Sequence, residues 1–372
     1  MKFTINTNLL IKNIQLALNS IDSQGLNPIL ECILFTIDND QITLTSSNNS
    51  CYSQINIKEG FEIETTGKFL VKGKMILDIL ENLKSKQLNF EIIDDSVLRI
   101  YNNNFICNLN ILDANSYPLT SFQYSDWINF KLSNSFIQKI NDKLTSFIIT
   151  SNESPNPLNG ICLDTNNEEN LIKAVATDSY HLAYYQEEGK YSKFKIIFTP
   201  KVLSFLNLLC NKKEDQPNLW WNEGKLIIEY NQNLFFFKLL DMEYPSVYKT
   251  LESTYINNFE INKSLFLDAI SRTMPLVQNS KDATFELKIN DNKISISSKS
   301  IQFGDSFEEI EINNSNFSEN FHFSLNVKFL SHILKSIDDN VVTFNFINEN
   351  KPILITNNKD ENWKFLILPL RH

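Results

Sequence analysis

Glycine is scarce in this chain, eight residues in 372, and histidine scarcer still, at four. Without a glycine-rich run there is no loop to cradle a nucleotide phosphate, and no Gly-x-Ser-x-Gly turn presents a nucleophile. His181, His322, His332 and His372 do not fall at metal-ligand spacing with cysteines or acids, so no metal or cofactor is expected. Cys32, Cys51, Cys107, Cys162 and Cys210 are odd in number and never paired as Cys-x-x-Cys. That excludes a disulfide scaffold and points to reduced thiols in a cytoplasmic protein. No apolar run is long enough to span a bilayer, and the opening Met1-Lys2-Phe3-Thr4-Ile5-Asn6 alternates polar and apolar instead of reading as a secretion signal; no membrane partner is expected. A basic excess is also missing, since 34 Lys and Arg against 44 Asp and Glu leave −10. What is present is apolar material, 42% of the chain against 21% charged, enough for ordinary globular cores.

That material is periodic. Phe3-Thr-Ile-Asn, Phe130-Lys-Leu-Ser and Phe259-Glu-Ile-Asn each open a short strand and reach a helix-capping residue, Asn6, Ser133 and Asn262. Lys74, Lys201 and Lys328 recur 127 residues apart, each at the start of a second helical pattern, and Tyr117-Pro118 returns as Tyr244-Pro245 at the same spacing. Several landmarks at one long period indicate a triplicated domain. The expected boundaries are 1–124, 125–254 and 255–372.

Within each unit the order strand, helix, strands occurs twice. Leu10, Ile14, Ala17, Leu18 and Ile21 mark one face of the first helix, which Pro28 is expected to end. Met75, Ile76, Ile79, Leu80 and Leu83 mark the second. Helices follow at Ile137–Phe147, at Val202–Leu209, at about 264–273 with Pro275 as the stop, and at about 327–337. The β-rich runs between them are split by turn residues. Trp220 and Trp221 fall on opposite faces of a strand, so one is expected to be buried. The Asp pairs at 94–95 and 338–339 read as turn residues. The fold class expected is α+β: three similar domains of two half-units each, helices on one face and antiparallel sheets on the other.

Particular residues now carry a resemblance. Met1-Lys2-Phe3-Thr4-Ile5-Asn6-Thr7-Asn8-Leu9-Leu10, Asn27-Pro28-Ile29-Leu30, Leu158-Asn159-Gly160-Ile161, Ala176-Thr177-Asp178-Ser179-Tyr180-His181-Leu182-Ala183, Tyr244-Pro245 and Leu368-Pro369-Leu370-Arg371-His372 occur in family order over the whole chain. Together they resemble the bacterial DNA polymerase III β subunits, the sliding clamps. The resemblance implies a non-catalytic processivity factor that closes as a head-to-tail homodimeric ring around double-stranded DNA, helices inward. It also implies partners: the polymerase III α subunit, the clamp loader and other proteins bearing a clamp-binding motif.

Charge can be set against that expectation. The six helical stretches with their flanking turns hold thirteen basic residues, Lys12, Lys74, Lys84, Lys86, Lys139, Lys143, Lys201, Lys212, Lys213, Lys263, Arg272, Lys328 and Lys335. They hold four acids, Asp78, Glu81, Asp142 and Asp268. A local +9 inside a chain of −10 leaves −19 elsewhere. Positive charge gathered on one class of element suits a polyanion, and phosphate contact carries no base information. Lysine's helix propensity is the plainer explanation, but glutamate is nearly as good a helix former and occurs only once here. The DNA-facing candidates are Lys12, Lys74, Lys139, Lys143, Lys201, Lys212, Lys213, Arg272, Lys328 and Lys335. Gln24 and Asn152 join them by resemblance, at loops where this chain lacks the family's basic residue. No zinc-finger spacing or basic zipper accompanies them.

By resemblance, an apolar peptide-binding cleft uses Leu158, Thr177, Ser179, Tyr180, His181, Leu182, Pro245, Val247, Lys249, Leu366, Leu368, Pro369, Leu370 and Arg371. Such a slot has apolar walls and a polar rim. Tyr180-His181 and Lys249 depart from the more usual His-Arg and Arg, and Lys does not stack or chelate as Arg does. Phe105, Leu276 and Val277 are candidates for the dimer contact. Asp178, Ser179 and His181 hold the residue types of a hydrolytic triad, but three members within four positions do not readily form its relay. The remaining alternative is a three-domain protein-interaction scaffold that never meets DNA.

Overall fold

The computed structural model describes residues 1–21, 27–94, 96–150, 154–165, 170–210, 216–277, 283–290, 292–317 and 319–370. The helices are α1 (Thr7–Ala17), α2 (Gly73–Glu81), α3 (Asn134–Leu144), α4 (Pro200–Cys210), the single turn α5 (Tyr248–Leu251), α6 (Lys263–Val277) and α7 (Val327–Ser336). All the named strand pairings are antiparallel, in four sheets. Asn6 accepts from the Leu9 N–H at the start of α1, Asn262 does the same for Leu265 in α6, and Asn326 receives two such bonds at α7. These contacts satisfy first-turn donors that have no helical partner.

The chain divides into two compact units, residues 1–134 with 205–239, and residues 135–204 with 240–372. The first unit has a five-stranded sheet ordered Phe61–Thr65, Lys2–Asn6, Gln87–Ile93, Val97–Tyr101, Ile106–Asn110. Its eight-stranded sheet is ordered Ile128–Phe130, Asn218–Asn222, Lys225–Tyr230, Asn233–Lys238, Cys51–Ile57, Ile42–Ser47, Cys32–Ile37, Gly67–Lys72. The second unit has a nine-stranded sheet ordered Lys195–Phe198, Ile161–Asp164, Leu171–Thr177, His181–Glu188, Trp363–Ile367, Ile353–Thr356, Val341–Phe346, Asn257–Asn262, Asn313–Asn316. Its four-stranded sheet runs Gly304–Glu311, Lys293–Ser300, Thr284–Asn290, Phe321–Asn326. The sheets do not keep to the sequence period. The middle third of the chain gives four strands to the eight-stranded sheet and four to the nine-stranded one.

Phe3, Phe130 and Phe259 are all buried. Strands such as Lys2–Asn6 and Val341–Phe346 alternate buried and half-exposed residues, whereas Cys32–Ile37 and Ile161–Asp164 are buried almost throughout. A strand reads as continuously apolar when both of its faces are covered. Part of the second cover is the Tyr-Pro landmark. Tyr117 packs with Cys32, Leu34 and Leu70, and Tyr244 with Cys162, Val175 and Ile197.

Three local expectations fail. The first helix ends at Ala17, ahead of Pro28, which instead opens the short turn Pro28–Glu31 capped by Asn27. Pro275 does not stop its helix, because α6 continues to Val277. Pro275 leaves the Ser271 carbonyl without its i→i−4 donor, and the helix runs only two residues further. Neither Trp220 nor Trp221 is buried; Trp220 is held at the half-exposed level by an indole N–H donated to Glu229 and an edge contact with Tyr124.

Candidate functional site

In the second unit, one concave site collects residues far apart in sequence. A cavity of about 210 Å³ is lined by Leu158, Thr177, Ser179, Tyr180, His181, Leu182, Pro245, Val247, Leu366 and Leu368, together with Ser246, Thr250 and Pro352. Ten of the fourteen sequence candidates are therefore brought together. Lys249 is exposed on α5 outside the lining, and Pro369 and Leu370 continue past it, where the Leu370 N–H donates to the Ser324 carbonyl. Arg371 lies outside the described residues. Ser246 and Thr250 adjoin named candidates; Pro352 arrives from a different hairpin, with nothing in the sequence to point to it.

One wall is the turn between Leu171–Thr177 and His181–Glu188. Asp178 Oδ1 accepts from the backbone N–H groups of Tyr180, at 2.9 Å, and His181, at 2.8 Å. Thr177 Oγ1 donates to the His181 carbonyl and accepts from the Ser179 N–H. Ser179 is thereby held at φ 81°, a left-handed conformation that costs a side-chain-bearing residue about 1–2 kcal/mol. Tyr180 projects outward, 56% exposed.

Behind the wall runs a chain of polar contacts. His181 Nδ1 is 2.8 Å from Asp178 Oδ1, His181 Nε2 is 3.1 Å from His332 Nδ1, and His332 Nε2 is 2.7 Å from Ser146 Oγ. Burial raises the Asp178 carboxyl, but the hydrogen bonds from the His181 ring and from backbone N–H groups outweigh it and bring it below the usual carboxylate range. An ionised Asp178 only accepts, so His181 Nδ1 carries the proton. With both rings neutral the direction is then fixed: Ser146 O–H donates to His332 Nε2, and His332 Nδ1–H donates to His181 Nε2. Burial, with the His181 ring and Lys335 adding to it, lowers His332 to about 4. Phe147 stacks on His332 and lies tilted against His181, and Phe329 lies between His181 and Tyr180.

Two of the three triad-type residues therefore do bond, Asp178 with His181, because the turn folds them onto each other. Ser179 takes no part; the hydroxyl at the far end is Ser146. With its basicity so lowered, His332 is a poor general base at neutral pH.

The basic candidates separate into two groups. Lys139 donates to Tyr185 Oη at 2.7 Å and lies 3.8 Å from Glu187. Lys143 pairs with Asp338 at 2.6 Å over the Trp363 ring. Lys74 pairs with Asp78 at 2.9 Å, and Arg272 forms a two-point contact with Glu308. These four are engaged within the chain, contrary to the expectation of free positive charge. For Lys139, Lys143 and Arg272 the cause is acids on strands or a turn distant in sequence, which helix-by-helix counting cannot register; Lys74 is held by Asp78, one turn on in its own helix. Lys12, Lys201, Lys328 and Lys335 are exposed, with no ion pair to another described residue. Gln24, Asn152, Lys212 and Lys213 lie outside the described residues.

Of the dimer candidates, Phe105 and Leu276 are half-exposed. Val277 is 3% exposed, turned into its own core at the end of α6, and offers no surface. Exposed apolar side chains stand nearby: Ile106 at the edge strand of the five-stranded sheet, and Phe307 on the edge strand of the four-stranded sheet, with Phe303 just before it. The Asp pair at 338–339 is not merely a solvated turn, because Asp338 holds Lys143 and the buried Asp339 pairs with Lys359 at 3.2 Å. Among the described residues there is no cluster of metal-ligating side chains, and no helix long and apolar enough to cross a membrane.

Three family models match in succession: DNA polymerase III beta subunit, N-terminal domain over residues 1–121, central domain over 132–246 and C-terminal domain over 253–371. The beta sliding clamp of Staphylococcus epidermidis is 26% identical over 100% of this chain and 99% of its own length. That of Mycoplasma capricolum is 25% identical over 99% of each. Among solved structures, the DNA polymerase III beta chain of Streptococcus pneumoniae superposes with a TM-score of 0.90 at 21% identity over the whole of both chains. The Bacillus subtilis DNA polymerase sliding clamp gives 0.88 at 24% identity, over 100% of this chain and 99% of that one. At these identities the structural likeness speaks for the fold.

Proposed function

The chain belongs to the DNA polymerase III beta-subunit family, and from that membership we propose how this DNA sliding clamp works. The observation that carries the reading is the succession of three clamp-domain matches along nearly the entire chain. The role is non-catalytic. Two copies close head to tail around duplex DNA, the clamp stays on by topology, and it tethers the replicative polymerase's α subunit, the clamp loader and other partners in the cytoplasm.

Lys12, Lys201, Lys328 and Lys335 supply a weak phosphate-facing charge. Weak contact is what sliding requires, since base-specific bonds would arrest the ring. The cleft accepts a short apolar peptide segment: its walls are aliphatic, and Thr177, Ser179 and Ser246 leave a few polar groups at the rim. For closure, the edge strand Ile106–Asn110 and the edge strand Gly304–Glu311 each present unpaired backbone and exposed apolar side chains. Phe105, Ile106, Leu276, Phe303 and Phe307 form the apolar part of that contact.

Retention on a nicked circular plasmid, with release on linearisation, tests the ring. Equal behaviour on circular and linear DNA would favour the scaffold alternative. A monomeric mass at micromolar concentration would remove the closed ring.

A further inference from the structure

Among the described residues the framework of the cleft occurs twice, open in one copy and covered in the other. In the second unit the cleft stands on Leu182 and Leu366, which face each other in adjacent strands. In the first unit the same register position is taken by Tyr52 opposite Phe236. The wall turn is repeated as well. Asn48 Oδ1 accepts from the N–H groups of Ser50 and Cys51, at 2.8 and 2.7 Å, as Asp178 Oδ1 does from Tyr180 and His181. So is the entry turn: Asn27 caps Ile29 and Asn156 caps Leu158, each beside a proline. Tyr117 covers the paired Leu34 and Leu70, as Tyr244 covers the paired Cys162 and Ile197.

The two copies differ in what lies on the central pair. In the second unit that pair faces the cavity. In the first, Phe122 stacks on Phe236 with ring centroids 4.7 Å apart and planes 19° apart, and meets Tyr52 edge-on at 5.3 Å. Phe122 comes five residues after Tyr117, from the segment that links the repeats.

We infer that the first unit carries a second, repeat-related peptide site that Phe122 occupies from within, so that the chain takes one apolar peptide where its framework provides for two. The chemistry of the intramolecular occupant defines the external one: a short segment with an aromatic or large aliphatic anchor, seated on Tyr52 and Phe236. An internal side chain competes at high effective concentration and excludes such segments at ordinary concentrations. The inference rests on reading the open cleft as a peptide site.

The test is binding stoichiometry by titration calorimetry, using a hexapeptide with two leucines and one phenylalanine. The full-length protein is compared with Phe122→Ala, and with Phe122→Val, whose shorter side chain also falls short of the Phe236 ring, in case the alanine variant does not fold. Wild type is expected to take one peptide per chain and the variants two. With Leu366→Glu closing the open cleft, Phe122→Ala retains one and Leu366→Glu alone retains none. A folded Phe122 variant that takes no more peptide than wild type overturns the inference, as does wild type binding two. Wild type binding none while Phe122→Ala binds one would remove the reading of the open cleft and keep this one.

Discussion

Phe259 stacks on Phe344 with ring centroids 4.9 Å apart and planes 6° apart, and Phe3 keeps the same separation from Phe90. In both cases the two residues are directly opposite in adjacent strands. In the middle repeat Phe130 faces Leu219 instead. Truncating Phe90 or Phe344 to alanine removes a fully buried ring, and each is expected to destabilise the protein by about 3–5 kcal/mol. Urea unfolding checks this, and a loss below about 1 kcal/mol would show that the stack is not part of the cooperative core.

Ser179 is a side-chain-bearing residue held in the left-handed region on the cleft wall. Ser179→Gly relieves that strain and is expected to add about 1 kcal/mol of stability, less the extra entropy of glycine in the unfolded chain. Peptide affinity should fall only modestly, since Ser179 gives the cleft a single rim hydroxyl and most of the lining is apolar. A lower melting temperature would contradict the strain argument.

Acid sensitivity follows from His332. Its folded-state pKa, about 4, is below the unfolded value near 6.5, so the unfolded chain takes up the proton first. Stability is therefore complete above pH ~6.5, falls as pH drops from there through about 4, and levels off below. The ring is half-exposed, which limits the loss to roughly 1–2 kcal/mol. His332→Asn keeps a donor toward His181 but cannot be charged, and should flatten this slope. Asp178, with its lowered pKa, acts in the same direction below the ordinary carboxylate value, and that part persists in the variant. A slope unchanged by His332→Asn would place the sensitivity elsewhere.

The lysines should separate by function. Removing Lys12, Lys201, Lys328 or Lys335 is expected to weaken DNA binding alike on all sequences and to lower the salt slope by up to about 0.9 for each phosphate the side chain had neutralised. Lys143→Ala should instead lower stability, because it frees Asp338 and uncovers Trp363. Gel-shift titration across salt, beside thermal melts, tests both. A Lys143→Ala protein with normal stability and a reduced salt slope would reverse the assignment.

Much of the cleft was legible because its residues sit in short, distinctive segments, Thr177–Leu182 and Tyr244–Pro245. Their shared place on one wall follows from antiparallel pairing that brings Leu366 opposite Leu182. Pro352 and His332 had no such signal: each reaches the site from a separate element, through side-chain contact alone. The charge argument was legible only in part. Counting lysines along helices cannot see that Glu187 meets Lys139 from a strand, or that Glu308 meets Arg272 from another.

Most of the local order was settled by sequence alone: the three repeats, the Asn6 and Asn262 caps, the greater part of the buried helix faces, with Met75 exposed and Leu77 buried against expectation, and the alternation of the half-buried strands. These depend on spacing and on hydrogen bonds between neighbours. Which sheet each half of the middle repeat joins, which lysines remain unpaired, and why one copy of the cleft framework is open while Phe122 lies on the other were decided by tertiary structure. Those outcomes turn mostly on contacts between residues tens to well over a hundred positions apart, and such distances are set only when the chain is folded.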